Sequence, residues 1–204
     1  MTASAVWATT ARITSNPSPS SLRLYFGRDL QSLVEYEDTS VPILITSICE
    51  LLYRWGALEK EGIFRTCCDA KTLESIKVAI NSVPPSEIPQ ILARRITKRM
   101  DIDVAASLLK IFLRQLPTGL IPWDFVQQFH NVVTSSVGTT NSINDLEMIL
   151  LRLPGVNYIV LQYLCRFLHQ IHLKSAKSKM TAQSLGIVFG PCVFKSGPVK
   201  ESDK

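Results

Sequence analysis

The segment Glu61-Gly62-Ile63-Phe64-Arg65 places a permanent cation directly after two apolar anchors. A guanidinium is not deprotonated in proteins and presents a rigid fork of donors, which suits phosphate recognition or pairing with a carboxylate. The helical pattern before it stops at Gly56, so Arg65 is expected on a loop. A second group of chemistry-bearing residues shares a face of one helical stretch. Lys110 and Arg114 stand four apart, and Ser107 and Asp103 continue their stripe toward the N-terminus. No carboxylate follows either cation at the spacing that would neutralise it. Two readings stay open at this point: a carboxylate elsewhere in the chain balances the stripe, or an acidic or phosphate-bearing partner does.

Other chemistries find little support. There is no Gly-x-x-x-x-Gly-Lys-Ser/Thr loop, no Gly-x-Ser-x-Gly elbow and no kinase signature, so the chain is not expected to hydrolyse nucleotides itself. Cys165, His169 and His172 lie near one helix face but lack a fourth ligand nearby, and packing explains them better than a metal. The basic run Arg94, Arg95, Lys98 and Arg99 has no interleaved aromatics and reads as a solvated surface, not a nucleic-acid site.

These residues must be positioned by helices. Ser40 is placed to cap a helix with Pro42 in its first turn and Ile48, Leu51, Leu52 and Trp55 on its apolar face. Asp69 caps a second that carries Leu73, Ile76 and Ile80, after which Pro84, Pro85 and Pro89 open an irregular stretch. The clearest pattern runs over 101–116, with Val104, Leu108, Phe112 and Leu116 four apart and Pro117 and Gly119 stopping it. Pro122 starts the next helix, a polar loop is expected over 134–144, and another helix ends at Pro154-Gly155. A long apolar helix then carries Leu161, Leu164, Cys165, Leu168 and Ile171, and the last runs from near Thr181 to Gly190-Pro191. No strand-like alternation of useful length occurs. The expected class is all-α, a single helical bundle.

At 204 residues the chain fits one domain plus tails. Residues 1–21 hold no acid and Arg12 as their one cation, and 16–21 is a Pro/Ser linker composition, so a leader or linker is expected over 1–21, a domain over 22–197 and a tail over 198–204. No apolar run is long enough to span a bilayer, and the net charge of +5 points weakly to an acidic partner or anionic surface. Five cysteines, odd in number and without a Cys-x-x-Cys pair, suit a reducing, cytoplasmic compartment.

The order of motifs is more specific than any one of them. Glu61-Gly62-Ile63-Phe64-Arg65 is followed by Ser107-Leu108-Leu109-Lys110-Ile111-Phe112-Leu113-Arg114-Gln115-Leu116-Pro117, then Leu153-Pro154-Gly155-Val156-Asn157-Tyr158, then the run from Lys179-Met180-Thr181 through Ser184-Leu185-Gly186 to Phe189-Gly190-Pro191. With Phe26-Gly27, Leu30 and Val41-Pro42 ahead of them, these resemble the RhoGAP domain, the GTPase-activating domain for Rho-family small GTPases. The resemblance implies a helical bundle, neither a cofactor nor a metal of its own, and a Rho-family GTPase as partner of a monomer. GTP and Mg²⁺ would belong to that partner, and recruitment to membranes would follow a prenylated GTPase rather than direct insertion. It implies that Arg65 is an arginine finger acting in trans, that Lys110 faces the GTPase, and that Arg114 buttresses the finger loop. An inactive module that binds the GTPase as an adaptor is the alternative.

The chain also departs from the family pattern. Ser184 stands where an Asn that contacts the GTPase is usual, and Ser178 and Cys192 also replace common Asn positions. Cys68 replaces a glycine in the finger loop, which would strain the loop if that position needs a positive φ. Thr118-Gly119 replaces a usual Glu-Pro.

Overall fold

Apolar residues recurring every three or four positions need a common core, and in the computed structural model they find it among helices. The structure describes residues 25–97, 101–135 and 140–195. Along these run α1 (Leu30–Glu37), α2 (Ile43–Arg54), α3 (Ala70–Asn81), α4 (Ile88–Arg95), α5 (Ile102–Gln115), α6 (Trp123–Ser135), α7 (Thr140–Leu150), α8 (Gly155–Leu173), α9 (Ser175–Ser178) and α10 (Ala182–Val193). The fold is all-α. Among the described residues the sole β-type pairing is an isolated parallel bridge between Ile121 and Phe194.

α5 is the central element. It packs against both α2 and α10, and Ala105, Leu108, Leu109, Phe112 and Leu113 are buried on it. Small Ala105 and Ala106 let neighbours approach, while Phe112 fills the space beside Tyr25 and Phe26 with ring centroids 5.9 Å from each. α2 contributes Leu44, Ile45, Ile48 and Leu52 to the same core and also supports α4.

Local chemistry explains the helix ends, and in several places it differs from expectation. Asp69 caps α3 as its type suggests, its Oδ2 accepting from Thr72 N–H at 2.9 Å. Ser40 does not cap α2. Glu37 Oε2 accepts from Ile43 N–H at 2.7 Å and the Tyr25 hydroxyl oxygen accepts from Leu44 N–H at 3.2 Å, so the orphan donors are met from α1 and the chain before it. The three prolines after α3 do not leave an irregular stretch. Pro85 opens a short 3₁₀ turn and Pro89 sits in the first turn of α4, where its missing N–H does no harm. α7 begins inside the expected polar loop, at Thr140. α10 continues past Gly190, with Pro191 inside its last turn. The proposed leader, the tail, and Lys98 and Arg99 of the basic run lie outside the described residues. Arg94 and Arg95 are exposed in the last turn of α4, where cations favour the helix dipole.

Candidate functional site

The loop between α2 and α3 carries Arg65, and its backbone is fixed at several points. Gly62, at φ +66°, donates its N–H to the Ser178 carbonyl at 2.8 Å, which ties the loop to the end of α9. Arg65 N–H then closes a four-residue turn onto the Gly62 carbonyl at 2.9 Å. Inside that turn Phe64 takes φ +72°, a left-handed conformation that costs a non-glycine residue about 1–2 kcal/mol. Packing holds it there. Ile63 and Phe64 are fully buried, and the Phe64 ring meets Phe189 of α10 edge-on at 4.8 Å. The two apolar residues therefore anchor the loop in the core and leave Arg65 exposed at its tip.

The polar stripe of α5 lies under this loop, and three of its members hold it. Asp103 Oδ2 pairs with Lys60 Nζ at 2.6 Å. Ser107 Oγ accepts from Cys68 N–H at 3.1 Å. Lys110, only 6% exposed, donates its ammonium to the Phe64 carbonyl at 2.6 Å and reaches the Thr66 carbonyl at 3.4 Å. Neither open reading of the stripe holds for Lys110: backbone carbonyls of the loop satisfy it. The left-handed Phe64 is what presents one of those carbonyls to the lysine.

This arrangement differs from the roles the resemblance implied for the two cations within the loop itself: the lysine, not the arginine, is the one bonded to it. Lys110 buttresses the loop and is buried. Arg114, one turn further along α5, lies past the loop; its described hydrogen bond runs from Nε to the Lys110 carbonyl of its own helix at 3.4 Å, and the side chain is exposed. Cys68 carries no φ strain, because the positive angles in this loop fall on Gly62 and Phe64. Burial above all, with Asp69, Asp103 and Asp101 adding, pushes the Cys68 thiol up, so it is kept as a neutral thiol.

Arg65 is met from the opposite side by the α9–α10 junction. One guanidinium nitrogen, Nη2, donates to the Lys179 carbonyl at 3.0 Å and to Ser184 Oγ at 3.1 Å. Lys179 is itself left-handed, at φ +57°, where α9 ends. Ser184 Oγ lies 3.2 Å from Thr181 Oγ1, and Thr181 caps α10 by accepting from Ser184 N–H at 3.2 Å. Ser184 is thus drawn into the hydrogen bonds of Arg65 in the free chain. Arg65 has no carboxylate partner among the described residues.

The structure brings Arg65, Lys110 and Ser184 to one site, with Arg114 on its edge. Sequence reasoning missed Lys60, the Ser178 and Lys179 carbonyls and Phe189, whose partners lie on the other side of the fold. Cys165 is exposed on α8, with the His169 and His172 rings 6.2 Å apart, and no group of three or more His, Cys, Asp or Glu able to hold a metal exists among the described residues. No helix among them is long and apolar enough to cross a membrane.

The RhoGAP domain family model matches residues 42–198, which contains every residue of this site. The chain belongs to the RhoGAP family. It is 30% identical over 177 residues to Rho GTPase-activating protein 15 of Gallus gallus, covering 87% of this chain and 35% of that protein. It is 32% identical over 176 residues to Rho GTPase-activating protein 25 of Homo sapiens, covering 84% and 26% respectively. The chain spans about a third or less of the length of these curated relatives. The crystal structure of human Rho GTPase activating protein 15 superposes with a TM-score of 0.71 at 27% identity, covering 89% of this chain and 87% of that one. Gly119 sits at φ +78°, an angle closed to the proline the family pattern would place there.

Proposed function

We propose that this RhoGAP domain binds a Rho-family GTPase in its GTP state and accelerates hydrolysis by inserting Arg65 in trans. One observation carries the reading. An exposed guanidinium stands on a turn fixed by buried Phe64, by Lys110 and by Ser178, with no carboxylate paired to it among the described residues. During hydrolysis negative charge builds on the phosphoryl oxygens and the β–γ bridge, and a cation delivered there stabilises it. Such a finger typically raises the rate about 10³- to 10⁵-fold, roughly 4–7 kcal/mol of barrier. The domain holds no nucleotide chemistry of its own on this reading; GTP and Mg²⁺ belong to the GTPase, whose switch regions meet the face formed by Arg65, Arg114 and Ser184.

Docking exchanges the contacts of Arg65 with the Lys179 carbonyl and Ser184 Oγ for phosphate oxygens. Both acceptors are neutral and the contacts lie open to water, so each bond is weaker than one from the guanidinium to an anionic phosphate oxygen, where donor and acceptor are both charged. The loop backbone meanwhile stays anchored, so little ordering remains to be done at insertion.

The test is single-turnover GTP hydrolysis by Rho- and Rac-type GTPases with this domain and with Arg65→Ala. Arg65→Ala is expected to lose about a thousandfold in stimulated rate while binding is largely kept. Equal rates for both proteins, no faster than the GTPase alone, would refute the activator reading and leave an adaptor.

A further inference from the structure

The finger loop is held from below by three residues of α5, and the first of these contacts joins two side chains that the proposed chemistry does not touch. Lys60 precedes the loop by two residues, and its Nζ lies 2.6 Å from Asp103 Oδ2 in the first turn of α5. The two side chains are 30% and 27% exposed, so the pair is mostly withdrawn from water. The other carboxylate oxygen, Oδ1, is buried and has no hydrogen-bond partner. Lys60 is therefore the group that neutralises Asp103. One turn along α5 from Asp103, Ser107 Oγ accepts from Cys68 N–H at 3.1 Å at the far end of the loop. The first turns of α5 thus hold both ends of the segment that carries Arg65, Asp103 at Lys60 and Ser107 at Cys68.

The backbone around Lys60 transmits this anchorage. The Lys60 carbonyl accepts from Ile63 N–H at 3.3 Å, and the next turn closes from Arg65 N–H to Gly62. Two consecutive turns therefore join Lys60 to Arg65, and Lys60 sets the entry of the chain into the segment whose Ile63 and Phe64 are anchored in the core. We infer that Lys60 and Asp103 form a positioning pair that fixes the height and direction of the Arg65 loop over α5. This rests on Arg65 being the inserted residue, but the anchorage itself is measurable without any GTPase.

The orphaned oxygen makes the two halves of the pair unequal. Removing Lys60 leaves a carboxylate half-buried and unpaired, whereas removing the Asp103 charge lets the Lys60 ammonium turn toward water. The loop is consequently loosened more by Lys60→Met than by Asp103→Asn, and adding Asp103→Asn to Lys60→Met recovers part of the loss.

The first measurement is amide hydrogen exchange at residues 61–66 of the free domain. Lys60→Met is expected to speed exchange there about tenfold, with Lys60→Arg close to wild type and the double variant between. The second is single-turnover stimulation titrated with each protein. The saturating rate is expected to fall about tenfold in Lys60→Met, with the half-saturating concentration nearly unchanged. Unaltered exchange in Lys60→Met, a double variant worse than Lys60→Met alone, or a loss confined to the half-saturating concentration would each overturn the pair's role. If the wild type stimulates no GTPase, the activator reading fails, and the exchange pattern alone decides the anchorage.

Discussion

Lys110 illustrates how one buried side chain can be read wrongly from its type and rightly from its surroundings. A lysine on a basic stripe invites an acidic partner, but at 6% exposure its ammonium has no access to one. It spends two donors on the loop, at the Phe64 and Thr66 carbonyls. Replacing it by methionine keeps the apolar stem and deletes the donors. The Phe64 carbonyl is then buried without its partner, which costs about 1–3 kcal/mol, and the left-handed Phe64 loses one of the contacts that hold it, leaving its packing against Phe189. Lys110→Met is expected to lower the saturating stimulated rate at least about tenfold while the domain stays helical by circular dichroism. A wild-type rate in that variant would show that the loop is held without the lysine. Arg114→Ala should act differently, raising the half-saturating concentration more than it lowers the saturating rate, because its exposed guanidinium holds nothing in the loop. Titration of the stimulated rate separates the two effects.

At the scale of elements, legibility followed sequence distance. The apolar face of α5 was readable because its periodicity lies within one stretch, and so was the Asp69 cap, which meets a donor three residues away. The polar face of the same helix was visible as a stripe, but its purpose was not. Its partners at Lys60, Phe64 and Cys68 come from about forty residues upstream, and no local pattern announces them. The α2 N-terminus was misread for a related reason, since its donors are met from beyond the adjacent Ser40, by Glu37 and Tyr25 of the preceding element and the chain before it. That cap has a pH signature. Burial raises the Glu37 carboxyl above its ordinary 4.5, and burial together with the neighbouring Glu37 pushes the Tyr25 hydroxyl up. A carboxyl whose folded value is raised contributes stability that is fully present below its unfolded value and is lost as pH rises through the raised one. The stability difference between wild type and Glu37→Gln is therefore expected to move in favour of the wild type as pH falls from neutral toward 4.5. Denaturant unfolding of both proteins across that range measures it, and a difference constant with pH would mean that Glu37 titrates as it does in the unfolded chain.

For the whole molecule, the turn after α5 is where the helices that build the site are tied to one another. Asn157 of α8, buried, donates Nδ2 to the Leu120 carbonyl at 2.9 Å, and Ile121 N–H donates to the Val193 carbonyl at the end of α10 at 2.9 Å. Lys195 Nζ reaches the Leu116 carbonyl at 2.9 Å. Three helices thus converge on residues 116–121, and Gly119 is the residue that lets them close. Its φ of +78° is open to glycine, and a Cβ added there would lie 2.9 Å from Lys195 Cβ and 3.2 Å from the Ile121 carbonyl oxygen. Neither neighbour is the loose end of a side chain, so the backbone must move. The left-handed angle alone costs about 1–2 kcal/mol for alanine. The overlap adds to this, because relieving it separates Lys195 from the turn and strains the Ile121–Val193 bond. Gly119→Ala is expected to destabilise the domain by about 2–4 kcal/mol, which at roughly 2–4 °C per kcal/mol for a domain of this size is a clear fall in Tm. At temperatures where the variant remains folded, Arg65 should still stimulate hydrolysis, since none of the contacts fixing its loop runs through Gly119. A melting temperature equal to that of the wild type would mean that the turn can open without loosening α5 from α10, and the bundle would then depend on its apolar core alone.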